Sequence, residues 1–454
     1  MEYISTRGQS PVADFATVIL DGLAPDGGLY VPRTLPRLEA GAIRALEGAT
    51  FARTAEAVLT PFTRGTVKAS ALRAILDQAY ARFDHPSVAP LVEVAPRRWV
   101  LELFHGPSLA FKDHALQILG PLMGNFLSER SRGAFVLCAT SGDTGGAALA
   151  ALEGVGNVRA LVLYPKGGVS AFQEAQMHAL TGPGRRVVAV EGSFDDCQRL
   201  VKQALGDAAL RERYGLTAVN SVNWGRIAAQ TVYYAHAALR LSRNGEPVDF
   251  AVPTGNFGNA YSCLVAQRMG FPVGHILVAT NENDTLVRLA ETGRLSPLTV
   301  VPTNTPAMDI QWPSNLERLL FDLSGDGASV AACLDGKDIP DPMRAGLGAT
   351  MSFARISQAA TLARMRRLFQ ETGYIADPHT ALALDAADSL DPGHRHLVTL
   401  ATAHPVKFAE TVVAAIGLAP PSGRPGPKLP ACPVAAVLPT LSAVLGQIEA
   451  ISTP

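Results

Sequence analysis

Regular alternation of strand-like and helix-like segments dominates the chain from about residue 99 onward. Six short β-rich runs occupy residues 134–140, 159–165, 185–192, 249–255, 275–281 and 396–404. Helix-length segments lie between them. Strands that alternate with helices in this way build parallel sheets that helices cover on both faces. The pattern therefore predicts an α/β fold with two parallel-sheet domains.

The other segments divide the chain further. Residues 300–350 interrupt the alternation and predict an inserted helical segment. The stretch from residue 418 is rich in proline and predicts a tail that ends in a helix near 437–450. The expected parts are an N-terminal domain at 1–95, a small α/β domain at 96–245, a large α/β domain with the insertion at 246–417, and the tail at 418–454.

Composition narrows the class of protein. Of 454 residues, 48% are hydrophobic and 17% are charged, and the net charge is -1. These values are typical of a globular protein and exclude a strongly basic surface, so we expect no nucleic-acid partner. We see no signal peptide and no apolar run long enough to span a membrane. Five scattered cysteines without a CxxC pair argue against disulfides and metal sites, which favours the cytoplasm.

Three polar turns follow predicted strands, where parallel α/β proteins bind ligands. They are "TSGDTGG" (140–146), "TGNFGNA" (254–260) and "ATAHP" (401–405). In the second turn, two glycines allow close approach of the backbone, and Asn256 and Asn259 add donors. Amides at a helix N-terminus suit a phosphate. A tight turn that needs glycine for its backbone angles remains the alternative.

The first turn offers hydroxyl groups, a carboxylate and a run of amides from Thr140, Ser141, Gly142, Asp143 and Thr144. It lacks the Gly-Lys-Ser/Thr ending of a P-loop. Thr, Ser and Asp also cap helices, so this turn alone equally indicates a helix start.

Lys112 directly follows the apolar run Leu109–Phe111. A lysine against apolar walls loses solvation, so its pKa falls and its amine becomes a nucleophile that forms Schiff bases. The alternative is a surface lysine beside Asp113. Together, Lys112 for an aldehyde, the "GNFGN" turn for a phosphate and Thr402 for a pyridine nitrogen make up a site for pyridoxal 5'-phosphate (PLP).

Several motifs resemble those of threonine synthases, PLP enzymes of the tryptophan-synthase-β-like fold (fold type II). The motifs are "HGPSLAFKDHALQILG" (105–120), "CATSGDTGGAAL" (138–149), "YPKGGVS" (164–170), "NSVNWGRIAAQ" (220–230), "PTGNFGNAYS" (253–262) and "TAHPVKF" (402–408). The resemblance extends over residues 3–417 and implies conversion of O-phospho-L-homoserine and water to L-threonine and phosphate.

The resemblance also implies residue roles. Lys112 matches the Schiff-base lysine, Asp143 the position facing the ring 3-oxygen, and Thr402 the partner of the ring nitrogen. The cofactor-phosphate loop matches Gly255, Asn256, Phe257, Gly258 and Asn259. Substrate-binding candidates are the 140–144 turn for the carboxylate and, for the phosphate, Ser221, Asn223, Arg226 and the weaker candidate Lys166.

Alternatives remain open at this point. A serine/threonine dehydratase or a phospho-lyase of the same fold shares most of these parts, and a non-catalytic PLP-binding protein shares Lys112. We expect a small-molecule substrate and a monomer or homodimer. Pro121, in the predicted helix after Lys112, predicts a kink or an early helix end.

Overall fold

The computed structural model describes residues 1–390, 393, 395–421 and 436–452. Its strands are β1 (Tyr3–Ser5), β2 (Tyr30–Pro32), β3 (Leu91–Ala95), β4 (Arg98–Glu102), β5 (Ala134–Ala139), β6 (Val158–Pro165), β7 (Arg185–Val190), β8 (Leu216–Thr217), β9 (Val248–Pro253), β10 (Val273–Thr280), β11 (Ser352–Arg355), β12 (Leu397–Ala401) and β13 (Ala436–Val437).

Helices cover both sheets. They are α1 (Phe15–Asp21), α2 (Ala40–Arg44), α3 (Phe51–Thr63), α4 (Ala69–Tyr80), α5 (Asp113–Glu129), α6 (Asp143–Ala151), α7 (Ala171–Ala179), α8 (Phe194–Gly206), α9 (Ala208–Tyr214), α10 (Trp224–Leu241), α11 (Gly258–Arg268), α12 (Thr285–Thr292), α13 (Leu316–Ser324), α14 (Gly327–Leu334), α15 (Asp341–Thr350), α16 (Gln358–Thr372), α17 (Pro378–Ala387), α18 (Ala409–Ile416) and α19 (Leu441–Ser452). Short 3-10 helices lie at Pro306–Met308 and Pro405–Phe408.

Two larger sheets organise the molecule. One has six strands in the order β11-β10-β9-β12-β4-β3, and the other has five in the order β13-β7-β6-β5-β8. All neighbours are parallel except β3 and β4. The six strand predictions are confirmed as β5, β6, β7, β9, β10 and β12. Their buried residues are mostly apolar because helices cover both faces of each sheet.

The six-stranded sheet includes strands that lie earlier in the sequence than the strand–helix alternation predicts. β4 falls inside the segment 96–245 that the sequence assigns to the small domain, yet it pairs in parallel with β12, with Val100 opposite Thr399. β3 then forms the edge by pairing with β4. The physical reason is a pairing between segments about 300 residues apart, which local periodicity does not reveal.

The insertion is helical as predicted, with α13 to α15 between residues 316 and 350. It is joined to the N-terminal segment, because the Thr6 hydroxyl donates to the buried Glu317 carboxylate at 2.6 Å and Arg7 pairs with the same group at 3.3 Å. The final helix of the tail is α19, whose Val444 and Ile448 pack in the core of the five-stranded sheet. The proline-rich stretch 422–435 lies outside the described residues.

Pro121 does not end its helix early, since α5 continues to Glu129. The flanking residues Leu119, Leu122 and Met123 are all buried in the main core. Burial of this helix against its neighbours outweighs the lost backbone hydrogen bond at the proline. Among the described residues, no helix is long and apolar enough to cross a membrane.

Candidate active site

Three neighbouring parallel strands bring the predicted turns to one edge of the six-stranded sheet. β9, β12 and β4 lie side by side. Because the carboxyl ends of parallel strands share an edge, the segments that follow them begin close together. These segments carry the "GNFGN" turn, Thr402 and Lys112 respectively.

Backbone pairing sets the position of Lys112. Ala110 forms an antiparallel bridge with Ala403. The Phe111 NH donates to the Thr402 carbonyl at 2.8 Å, and the His404 NH donates to the Leu109 carbonyl at 3.0 Å. The loop before α5 therefore lies along the end of β12 and holds Lys112 beside Thr402.

The Lys112 amine lies in a mostly enclosed place. Its side chain is 14% exposed, and Nζ lies 3.2 Å from Asp143 Oδ2 and 4.9 Å from the centre of the Phe111 ring. Burial lowers the pKa of Lys112, and the attraction of Asp143 only partly offsets this. The positive charges of Arg226 and Lys407 lower the pKa further. A lysine in such surroundings is a nucleophile and a proton acceptor.

Asp143 reaches this amine from the other sheet, since it begins α6 just after β5. Its Oδ1 accepts from Gln173 Nε2 at 2.9 Å and lies 3.1 Å from Lys407 Nζ. Burial would raise the pKa of Asp143, but Lys112, Lys407 and Gln173 hold it well below its ordinary value. The carboxylate is therefore an anion that joins the carboxyl ends of both sheets.

The 140–144 turn is shaped by its own side chains. Thr140 Oγ1 accepts from the Gly142 and Gly145 amides, both at 2.9 Å. Gly142 has φ 126°, and a Cβ there would collide with the Gln173 side chain. Thr140 is thus engaged in the turn, whereas Ser141 and Thr144 remain half-buried at its mouth.

The "GNFGN" turn opens α11. Phe257 adopts a left-handed conformation with φ 64°, and α11 begins at Gly258. The first NH groups of a helix have no partner inside it. Asn259 Oδ1 accepts from the hydroxyls of Tyr233 and Tyr234, while its Nδ2 is buried without a partner among the described residues. Free amides together with a buried donor fit the phosphate of a cofactor.

A second cationic place lies at the start of α10. Arg226 is 2% exposed, and its Nη1 donates to the Val219 carbonyl at 3.0 Å. Its Nε is buried and has no partner within the described part of the chain. Burial lowers the pKa of Arg226 to about 10, which still leaves it charged at neutral pH.

The other predicted phosphate ligands differ in their hydrogen-bond partners and in their exposure. Asn223 caps α10, since it accepts from the Gly225 NH and donates to the Ile19 carbonyl, both at 2.9 Å. The Ser221 carbonyl accepts from Asn315 at 3.2 Å, and the Ser221 hydroxyl has no hydrogen-bond partner among the described residues. Lys166 is not brought together with these residues: its side chain is 59% exposed, and it lies 3.5 Å from Glu191.

Two buried residues of the insertion, which sequence reasoning missed, hold these loops together. Asn315 donates to the Asn256 carbonyl from its backbone NH and from Nδ2, both at 3.1 Å. Arg318, also buried, bonds to Asn315 and donates to the Tyr30 carbonyl at 3.0 Å and the Val222 carbonyl at 2.6 Å. Both residues lie in the predicted insertion at 300–350, but the sequence alone does not show which of its polar residues contact the loops of the site. Lys407 and Gln173 were missed as well.

Comparison with known proteins agrees with this geometry. Family models match residues 2–80 (threonine synthase N terminus), 86–402 (pyridoxal-phosphate dependent enzyme) and 380–433 (threonine synthase, C-terminal). Threonine synthase of Pseudomonas aeruginosa is 43% identical over 429 residues, which cover 92% of each chain. The chain belongs to the threonine synthase family.

Solved threonine synthases share the whole architecture. A PLP-bound threonine synthase from Brucella melitensis superposes with a TM-score of 0.93 at 40% identity and covers 100% of both chains. The threonine synthase from yeast gives 0.91 at 31% identity, over 99% of this chain and 98% of that one. The predicted fold class is confirmed, and PLP is the cofactor of this threonine synthase family member.

Proposed function

We propose that this chain converts O-phospho-L-homoserine and water to L-threonine and phosphate. The observation that carries the proposal is the buried amine of Lys112, paired at 3.2 Å with Asp143, in a chain that matches a solved threonine synthase over its whole length. The threonine synthase matches at both ends also favour this activity over a dehydratase, a phospho-lyase of another substrate or a non-catalytic PLP carrier.

The cofactor would be held by four groups of residues. Lys112 would bind its aldehyde, Asp143 would interact with the ring 3-oxygen, and the Thr402 hydroxyl would serve the ring nitrogen. Gly255 to Asn259 bind the phosphate. The buried Asn259 donor and the free amides of the first turn of α11 support that last role. When bound, PLP supplies an electron sink for the negative charge that develops at the substrate Cα.

Lys112 then moves protons. Because burial lowers its pKa, its amine can accept the α-proton of the substrate and later return a proton to Cα. Asp143 and its partners keep the amine in place meanwhile. A β-proton is then lost to a base and phosphate leaves from Cγ. Cγ takes up a proton to become the methyl group, the hydroxyl of water adds at Cβ, and a proton returns to Cα.

Substrate recognition uses the two ends of the molecule. The 140–144 turn at the N-terminus of α6 offers amides and hydroxyl groups to the carboxylate. Arg226 binds the phosphate, and the Ser221 hydroxyl assists. Among the other candidates, Asn223 is engaged as a helix cap, and Lys166 lies outside this group. The chemistry of a guanidinium and a phosphate supports the role of Arg226.

We further propose a cytoplasmic enzyme, monomeric or homodimeric, that acts on a small molecule. The described cysteines Cys138, Cys197, Cys263 and Cys333 are all free and buried, as in a reducing compartment.

The test incubates purified protein with PLP and O-phosphohomoserine and measures both products. Equal amounts of phosphate and threonine are expected, and Lys112→Ala should release neither. Ammonia and a 2-oxo acid in place of threonine would identify a dehydratase instead. Absence of any turnover, with PLP bound, would indicate a carrier.

A further inference from the structure

Lys407 is a lysine without exposed surface. Its side chain is 0% exposed in the 3-10 helix Pro405–Phe408 that follows β12. Lysine is rarely buried to this degree unless it is paired. Its Nζ lies 3.1 Å from Asp143 Oδ1, 2.7 Å from the Ser108 carbonyl and 3.0 Å from Gln176 Oε1.

These three oxygens match the three N–H donors of an ammonium group. A neutral amine has only two N–H bonds and would leave one acceptor unmatched. Lys112, in contrast, has one hydrogen-bonded acceptor among the described residues, Asp143 Oδ2. The two lysines thus share the Asp143 carboxylate, but their surroundings differ. Lys407 has an acceptor for each of its three N–H groups, whereas Lys112 does not.

We propose that Lys407 is a positioning residue for Lys112: it remains a fixed cation, orients the Asp143 carboxylate, and leaves Lys112 as the amine that loses its proton. The backbone supports this role, because the Lys407 carbonyl accepts from Ser170 at 3.1 Å and so links the end of β12 to the start of α7. The inference rests on the proposed role of Lys112, but its test does not depend on threonine formation.

The charged groups around the two amines determine how the protonation of Lys112 changes with pH. Lys112 faces Asp143 on α6, Arg226 on α10 and Lys407. The charge of Lys407 also acts on Asp113 of α5 and on His404. Since Lys407 lowers the pKa of Lys112 and Asp143 raises it, removing each should move that pKa in opposite directions.

The experiment follows the acetylation rate of Lys112 with trace acetic anhydride as a function of pH, using the full-length chain freed of cofactor. Mass spectrometry of the peptide that contains Lys112 gives the midpoint at which the amine becomes reactive. Lys407→Met and Lys407→Gln should raise this midpoint and slow labelling at pH 7 several-fold. Asp143→Asn should lower it. Lys202→Gln, an exposed lysine on α8, is the control and should leave it unchanged.

Removal of a buried cation leaves Asp143 under-compensated, so the single variants can unfold. The double variant Lys407→Met with Asp143→Asn removes both charges of the pair, and its midpoint should lie between those of the two single variants. Thermal melting identifies the variants that fold. Folded Lys407 variants with an unchanged midpoint would show that Lys407 is only a structural tie. Absence of threonine synthase activity in the wild-type chain, with these shifts intact, would refute the proposed function and leave the pairing in place.

Discussion

The Phe111 NH donates a 2.8 Å hydrogen bond to the carbonyl oxygen of Thr402. This backbone contact couples the position of Lys112 to the end of β12 and involves no side chain. The Thr402 hydroxyl can therefore be removed without releasing the loop that carries Lys112. This separates the chemical role of Thr402 from its structural one.

Thr402→Val should retain PLP but lose catalytic rate, because the hydroxyl that we propose as the partner of the ring nitrogen is lost while the phosphate loop and Lys112 remain. The visible absorbance of bound PLP should also change. Thr399→Val, a buried threonine within β12, is a matched control for loss of a hydroxyl. Identical rate and spectrum in Thr402→Val would mean that another residue faces the ring nitrogen.

Borohydride reduction should attach PLP to Lys112 and not to Lys407. Both amines flank Asp143, at 3.2 and 3.1 Å. Lys407 is enclosed by three acceptors, whereas Lys112 has one acceptor among the described residues, a side chain that is 14% exposed and a lowered pKa. Peptide mass spectrometry distinguishes the two sites. PLP recovered on Lys407, or on any other lysine, contradicts the assignment.

The two glycines of the cofactor loop should respond differently to alanine. A Cβ at Gly255 would lie 2.7 Å from the Ala307 carbonyl, so backbone must shift, whereas at Gly258 the nearest atom is Asn315 Nδ2 at 3.2 Å. Gly255→Ala should lose about 1–3 kcal/mol in the free energy of unfolding. Gly258→Ala should lose less and chiefly raise the Kd for PLP.

Urea unfolding and PLP titration test these expectations. Gly348→Ala is the control, because a Cβ there, within α15, meets no atom within 4 Å. Unchanged PLP affinity in Gly258→Ala would mean that the loop does not closely approach the cofactor phosphate.

Local patterns were sufficient for β5, β6, β7, β9, β10 and β12, the helical insertion and the turns, because strand and helix periodicity and glycine-rich turns depend on neighbouring residues. The contacts that complete the site are not local. Lys407 would be solvated in an isolated helix; it is buried because Asp143, Gln176 and Ser108 meet it from segments more than 230 residues earlier. Lys166 follows a strand and suggested a ligand, but its neighbour in the fold is Glu191.

Asn223 is a second residue whose role the sequence alone did not reveal. Its position before Arg226 suggested a phosphate ligand, yet both ends of its amide are committed to α10 and to the Ile19 carbonyl about 200 residues earlier. Some polar residues of a motif bind a ligand, and others stabilise the surrounding structure. The difference depends on contacts with residues far away in the sequence, which the motif itself does not show.

Deprotonation of Asp113 should lower the free energy of unfolding as the pH rises. Burial raises the pKa of Asp113 to about 6, above the unfolded value of about 3.9, so the folded state binds the extra proton between these values. Its stabilising contribution is complete below about pH 4 and is lost by about pH 6, a change of about 3 kcal/mol. Asp113→Asn keeps an acceptor for the Ser108 NH but does not titrate.

Urea unfolding of wild type and Asp113→Asn at several pH values tests this. The wild-type free energy of unfolding should fall relative to the variant from pH 4 to 6 and then stay parallel to it. Other carboxylates, including Asp143, are present in both proteins and cancel. A constant difference across this range would show that Asp113 is ionised in the fold with an ordinary pKa.

Arg226→Lys should separate phosphate recognition from cofactor binding. Arg226 is buried, with Nη1 bonded to Val219 and Nε free of partners among the described residues, so part of its guanidinium is available to a phosphate. Lysine keeps the charge but loses the planar fork. We expect kcat/KM for O-phosphohomoserine to fall roughly a hundredfold, with unchanged PLP content.

Two controls decide whether the loss reflects the phosphate contact. With homoserine, which lacks the phosphate, wild type and Arg226→Lys should differ little in binding, because the contact no longer exists for either protein. Arg199→Lys, at an exposed pair with Asp196, should behave as wild type throughout. If Arg226→Lys is fully active, or loses PLP together with activity, Arg226 is structural. The substrate phosphate must then bind elsewhere, and Lys166 becomes the next residue to test, since its side chain is exposed and pairs with Glu191 at the surface.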